Sequence, residues 1–221
     1  MPAQTPHVTS PKIEQFLAST DAATPFVVVD VDRVAERYDA LTTALPGARV
    51  YYAVKANPGA AILRRLVECG SAFDVASPAE IDFCLAAGAS AGDISYGNTI
   101  KKRRDIAFAA RAGVRRFTVD CLEELHKVAD VLADSAGGIA GTSICVRLRH
   151  ECAGADWPLS RKFGCEAPDV ENLLVAATEL GMECGVSFHV GSQQRNPLVW
   201  NTALASAAAI FREMAERGIQ L

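Results

Sequence analysis

An α/β fold built on a parallel sheet is predicted by three observations. From Arg49 onward, short apolar and β-branched runs alternate with segments that carry apolar residues at three- and four-residue steps. The repeated strand-then-helix units have the length of right-handed crossovers, which join parallel neighbours. Half of the 221 residues are hydrophobic, enough for a sizeable core and most simply for one domain. About six units can be counted, where a closed (β/α) barrel needs eight strands.

In chain order, residues 1–23 form a lead that is polar and Pro-bearing to Pro11, with a short amphipathic helix around Ile13 to Leu17. The domain then runs over 24–221. Pro25 to Asp30 reads as a strand from its valine run. Asp30 to Leu45 has helical spacing: Val31, Val34, Tyr38 and Leu41 share one face, and Pro46-Gly47 is the stop. The following strands are expected at Val50 to Val54, Ala72 to Val75, Ile94 to Tyr96, Arg116 to Val119, Ser143 to Leu148 and Val186 to Val190. Amphipathic helices are expected between them at Ala60 to Glu68, Pro78 to Ala87, Lys102 to Arg111, Leu122 to Leu132 and Asp169 to Leu180. Ser77 followed by Glu80 is a capping box for the second of these. Ser135 to Gly141, with three glycines but no phosphate-loop pattern, reads as a flexible connection. A last helix, Trp200 to Arg217, ends at Gly218.

Net charge is -4 with both signs interspersed, which gives no general attraction to nucleic acid or to anionic membrane. There is no apolar run of membrane-spanning length, and the N-terminus lacks the charged and apolar regions of a signal peptide, so a cytoplasmic location is the default expectation. The seven cysteines are scattered without a Cys-x-x-Cys pair, and four sit in apolar surroundings suited to a buried thiol. Together with four histidines in no ligand pattern, they offer no metal motif.

Several short stretches carry chemistry. The run Tyr51 to Val54 leads into Lys55 and stops at Asn57-Pro58, which puts an amine at a strand end, where α/β folds gather their reactive groups. Desolvation there favours the neutral, nucleophilic amine; the alternative is a surface lysine capping a strand. Asp74 is a carboxylate in an apolar strand and needs a partner. Lys101 to Arg104 is a run of four basic residues that reads as a solvated helix start. In Ile144 to Arg149 an arginine lies within an apolar alternation, so Arg147 or Arg149 must be functional or ion-paired. Trp157 to Gly164 is a long loop, either functional or a packed cover. His189 can be a satisfied core residue, but Gly191 and Ser192 just after it offer N–H groups and a hydroxyl suited to phosphate.

Taken together and in this order, these stretches resemble the ornithine/diaminopimelate/arginine decarboxylase family. The matching phrases are Tyr-Ala-Val-Lys-Ala-Asn-Pro (52–58), Phe-Asp-Val-Ala-Ser (73–77), Asn-x-x-Lys (98–101) with Asp105-Ile106, the strand carrying Arg147, Ser-Arg-Lys-Phe-Gly (160–164) and His-Val-Gly-Ser (189–192). The resemblance spans Thr24 to Leu221. It implies a pyridoxal-phosphate (PLP) enzyme with an alanine-racemase-like (β/α) barrel. Lys55 would carry the cofactor, Asp74 would lie near that lysine, and Arg147 would be the active-site arginine. His189 would stack on the cofactor ring and Ser192 would bind its phosphate. Lys162, in the loop with Gly164, would reach the partner subunit of a homodimer. The fuller Trp-Pro-Leu-Ser-Arg-Lys-Phe-Gly wording leans toward bacterial lysine/ornithine decarboxylases, and Gln193 toward bacterial and diaminopimelate-type versions.

The implied reaction is decarboxylation of a basic amino acid, ornithine to putrescine or lysine to cadaverine, in polyamine biosynthesis. The alternatives are a diaminopimelate or arginine decarboxylase, or a non-catalytic PLP-binding or regulatory homologue. The family's glycine-rich phosphate loop, the acidic partner of the pyridine nitrogen and the C-terminal β domain would all follow Leu221. The expectation is therefore an incomplete barrel of about six of eight units, with the C-terminal β domain absent and little activity for this polypeptide alone.

Overall fold

The computed structural model describes residues 10–151, 154–157 and 162–221. Six strands form one sheet: β1 (Tyr51–Ala53), β2 (Ala72–Val75), β3 (Ile94–Tyr96), β4 (Arg116–Val119), β5 (Ser143–Arg147) and β6 (Glu183–Ser187). They lie in the order of the chain, each parallel to the next. The helices are α1 (Pro11–Ser19), α2 (Val31–Ala44), α3 (Ala60–Glu68), α4 (Pro78–Ala86), α5 (Arg103–Arg111), α6 (Leu122–Ala133), α7 (Ala167–Glu179) and α8 (Val199–Glu216). An order without reversal, joined by right-handed crossovers, places the connecting helices on one face, as in a barrel wall and unlike an open doubly wound sheet. From α2 to α8 each helix packs on the next, so the molecule is an arc of (β/α) units.

The side chains sort by strand alternation. In β5, Ile144 and Val146 are buried while Ser143, Cys145 and Arg147 are only half-buried. The helix-facing layer joins Phe73, Val75, Ile94, Tyr96, Phe117, Val119, Ile144 and Val146 to Leu63, Ile81, Ile106, Leu125 and Leu174 in one core. Tyr96 and Phe117 hold it together at its middle, their rings 6.3 Å apart. The opposite, concave face is free to carry Asp74 and Arg147.

Helix starts are specified locally. Asp30 accepts from the Asp32 N–H at 3.1 Å to cap α2. Ser77 accepts from the Glu80 N–H at 3.4 Å, and Glu80 reaches back to the Ala76 N–H at 2.8 Å, one residue beyond the usual reciprocal bond.

Four expectations need correction. Pro25 to Asp30 is not a strand among the described residues: no neighbour supplies a ladder, and Val27 is 88% exposed. β1 stops at Ala53 because Val54–Ala56 winds into a 3-10 turn. β6 lies three residues earlier than expected, since its ladder with β5 ends at Arg147 and Ser187. Of the described cysteines only Cys84 is buried, and Cys121 is exposed; Cys152 and Pro158 to Arg161 lie outside the described residues.

Candidate active site

The residues singled out from sequence lie at the carboxyl ends of the strands. Lys55 sits in the turn after β1 and is exposed, so it is not the desolvated strand lysine expected from its neighbours. The turn is held by the Tyr52 hydroxyl, which donates to the Asn57 carbonyl at 3.1 Å, and by Asn57 Oδ1, which accepts from the Gly59 N–H at 3.0 Å. Such an Asx turn is what Asn-Pro-Gly encodes.

Asp74 is paired in register between Ala53 of β1 and Ser95 of β3. Burial pushes its carboxyl up to about 6; Lys55 and Arg147 pull it down and Glu80 pushes it up. Gly97 closes over it. Its N–H donates to the Val75 carbonyl at 2.9 Å, and a methyl group at Gly97 would overlap the Asp74 carboxylate. Only glycine allows that approach.

Arg147 ends β5 opposite Ser187, with its guanidinium carbon 5.2 Å from the centre of the Phe163 ring. Arg149 instead faces Glu166 at 3.1 Å and is exposed. The two candidate arginines thus divide into one at the site and one surface ion pair.

His189 is held below its ordinary value, by burial first and then by the charges of Arg147 and Lys55. Its Nδ1 accepts from the Gly191 N–H at 2.8 Å, so the neutral ring carries its proton on Nε2. Lys55 and Arg147 thus act on both Asp74 and His189, which brings four of the expected residues into one electrostatic unit.

Ser192 lies just beyond, and its N–H donates to the Trp157 carbonyl at 3.1 Å. The backbone N–H groups expected to face phosphate are therefore engaged inside the protein, Gly191 with His189 and Ser192 with Trp157. Gln193 adopts φ 56°, in the left-handed region. A pocket of about 360 Å³, lined by residues including His189, Gly191, Gln193 and Trp200, opens beside this turn.

Lys162 is exposed, and Gly164 is docked onto the end of β5. Cys165 donates to the Arg147 carbonyl at 3.0 Å and accepts from the Arg149 N–H at 2.8 Å, so the loop continues the sheet as a one-residue ladder. Gly164 has φ 90°, and a Cβ there would meet the Arg149 nitrogen at 2.8 Å. Asp120, just past β4, accepts from the Gly164 N–H at 2.9 Å.

Sequence reasoning passed over Asp120 and Gly97. A glycine directly after a strand is a signal for close backbone approach, but the carboxylate it makes room for lies on another strand. Lys101 was read as solvated, yet it is 3% exposed and paired with the buried Glu124.

Residues 31–221 match the family model described as "Pyridoxal-dependent decarboxylase, pyridoxal binding domain". The chain is 37% identical over 199 residues to lysine/ornithine decarboxylase from Selenomonas ruminantium, covering 90% of this chain and 49% of that protein. Its fold is similar to the crystal structure of lysine decarboxylase from Selenomonas ruminantium, at 36% identity and TM-score 0.82 over 96% of this chain and 54% of that one. It is also similar to lysine/ornithine decarboxylase from Vibrio vulnificus complexed with putrescine, at 30% identity and TM-score 0.79 over 94% and 53%. The chain spans about half the length of the curated relatives it matches.

Proposed function

Because the chain belongs to the pyridoxal-dependent decarboxylases, as their pyridoxal-binding domain, we propose that residues 24–221 form the cofactor-holding unit of a decarboxylase acting on a basic amino acid, ornithine or lysine, to give putrescine or cadaverine. The observation that carries this reading is the convergence of Lys55 and Arg147 on both Asp74 and His189. The donor set suits pyridoxal phosphate. An exposed amine is available for its aldehyde, a flat neutral imidazole for its ring, and a hydroxyl at Ser192 for its phosphate. When bound, the cofactor supplies the electron sink that decarboxylation requires.

Each residue has a part that follows from its surroundings. Lys55 is the attachment point, at the rim where a small amine can reach it. Neutral His189 offers a ring face without adding a third positive charge beside Lys55 and Arg147. Asp74 balances those two cations when ionised and holds a proton on its carboxyl below a pH of about 6. Since the Gly191 and Ser192 N–H groups are engaged elsewhere, Ser192 serves phosphate through its side chain. Lys162, exposed beside the docked Gly164, faces the partner subunit of a homodimer. No helix among the described residues is long and apolar enough to cross a membrane.

Borohydride reduction of the protein with added pyridoxal phosphate, followed by peptide mass mapping, tests the reading. A phosphopyridoxyl group on Lys55, lost in Lys55→Met, is expected; label scattered over surface lysines would overturn it. Assay on ornithine, lysine, arginine and diaminopimelate then fixes the substrate.

A further inference from the structure

Among the described residues, the most deeply buried ion pair lies outside the reacting residues. In the basic run 101–104, Lys102, Arg103 and Arg104 are exposed as a helix start should be, but Lys101 turns inward. Its ammonium meets three oxygens: the Asn98 carbonyl at 2.8 Å, the Thr118 carbonyl at 2.6 Å and Glu124 Oε1 at 3.1 Å. Glu124 Oε1 also accepts from the Lys101 N–H at 3.1 Å, while Oε2 meets Lys127 at 2.5 Å. The loop after β3, the end of β4 and the first turn of α6 are thereby joined at one point.

A buried ion pair adds little net stability over apolar residues of the same volume, because desolvation offsets the attraction. What it does supply is directed bonds. One of these fixes the Asn98 carbonyl, next in the chain to Gly97, and Gly97 is the residue closed over the Asp74 carboxylate. We propose that Lys101 and Glu124 are positioning residues: the pair holds the Gly97–Asn98 backbone against Asp74 and so fixes that carboxylate in the site. The consequence for catalysis rests on the reading of Asp74 as a cofactor-side group, whereas the geometry does not.

The charged groups acting on Asp74 are Lys55 from the turn after β1, Glu80 from α4 and Arg147 from β5, with burial as the largest influence. Slackening the Gly97 wall admits water and moves the carboxyl back toward its ordinary value. Field effects have a different sign. Removing Lys101 and Glu124 together leaves the net charge unchanged, and removing Lys101 alone raises a nearby carboxylic acid.

The test is a carbon-detected NMR titration of Asp74, assigned with Asp74→Asn, in the protein without cofactor. In Lys101→Met/Glu124→Leu, which keeps the site filled with apolar volume, the midpoint is expected to fall by about one pH unit. Lys101→Met alone leaves Glu124 its Lys127 partner, and a fall there runs against the field effect, so either folded variant decides the matter. A midpoint that stays near 6 or rises in a folded variant reduces the pair to a structural brace. Failure of cofactor trapping at Lys55 would remove the catalytic meaning but leave the titration result standing.

Discussion

Asp74 and His189 make opposite demands on pH, and both can be read as stability. The Asp74 carboxyl moves from 3.8 to about 6 on folding. The native state therefore binds its proton more tightly than the unfolded chain, and its contribution is full below 3.8 and lost as pH rises through about 6. Above that range the ionised group costs about 3 kcal/mol. Asp74→Asn mimics the protonated form, so it is expected to be more stable than the parent by about that amount near pH 8 and equal near pH 4 in urea titrations. It should also bind pyridoxal phosphate less well, because Lys55 and Arg147 lose their counter-charge. A variant no more stable near pH 8 would mean that Asp74 is already well solvated. His189 runs the other way. Its folded value lies below 6.5, so its contribution is full above 6.5 and lost as pH falls through the folded value. His189→Asn should flatten that acid limb, and an unchanged limb would assign it to other groups. The grouping of Lys55, Asp74, Arg147 and His189 could be anticipated because each sits in a phrase of chain-local wording. Lys101 was misread because the group that buries it, Glu124, is 23 residues away.

At the level of elements, legibility followed whether an element is specified by its own residues. Helix α3 and strands β2, β3 and β4 match their expected bounds, since periodicity and flanking turn residues suffice there. The valine run before Asp30 failed as a strand because a ladder needs a neighbour, and no spacing within the run reveals one. The docked loop is the converse case. Lys162 to Cys165 has no strand pattern, yet it pairs with the end of β5 because Asp120 and the left-handed Gly164 fold it there. That element predicts its own failure. Gly164→Ala forces a Cβ against the Arg149 backbone at positive φ, and should destabilise the protein by about 1–3 kcal/mol in urea titrations. It should also weaken retention of pyridoxal phosphate, since Phe163 would leave Arg147. Parental stability would show that the loop is not docked in solution.

The whole molecule is an arc in which inner strands have two partners and outer strands one. The parallel sheet was readable from the repeated β-then-α pattern, while its barrel-like curvature was legible only through the family resemblance, because curvature arises from how every unit packs on its neighbours. The buried area is distributed unevenly along this arc. Residues of β3 are all buried, and β4 is buried at Phe117, Thr118 and Val119, whereas β1 and β6 have no fully buried residue. Local opening is governed by buried contacts and by the number of hydrogen-bonded neighbours. Amide hydrogen exchange should therefore be slowest in β3 and β4, intermediate in β2 and β5, faster in β1 and β6, and fastest over residues 20–30. The site straddles this gradient. Asp74 stands on β2, an inner strand with two partners, while Lys55 and His189 follow the two outer ones. In the proposed holding unit the carboxylate stays fixed while the lysine and imidazole adjust. Added pyridoxal phosphate should accordingly slow exchange more in the segments after β1 and β6 than in β3. Equal protection across all six strands, or slowing confined to β3, would show that the site is not divided between a rigid centre and softer edges.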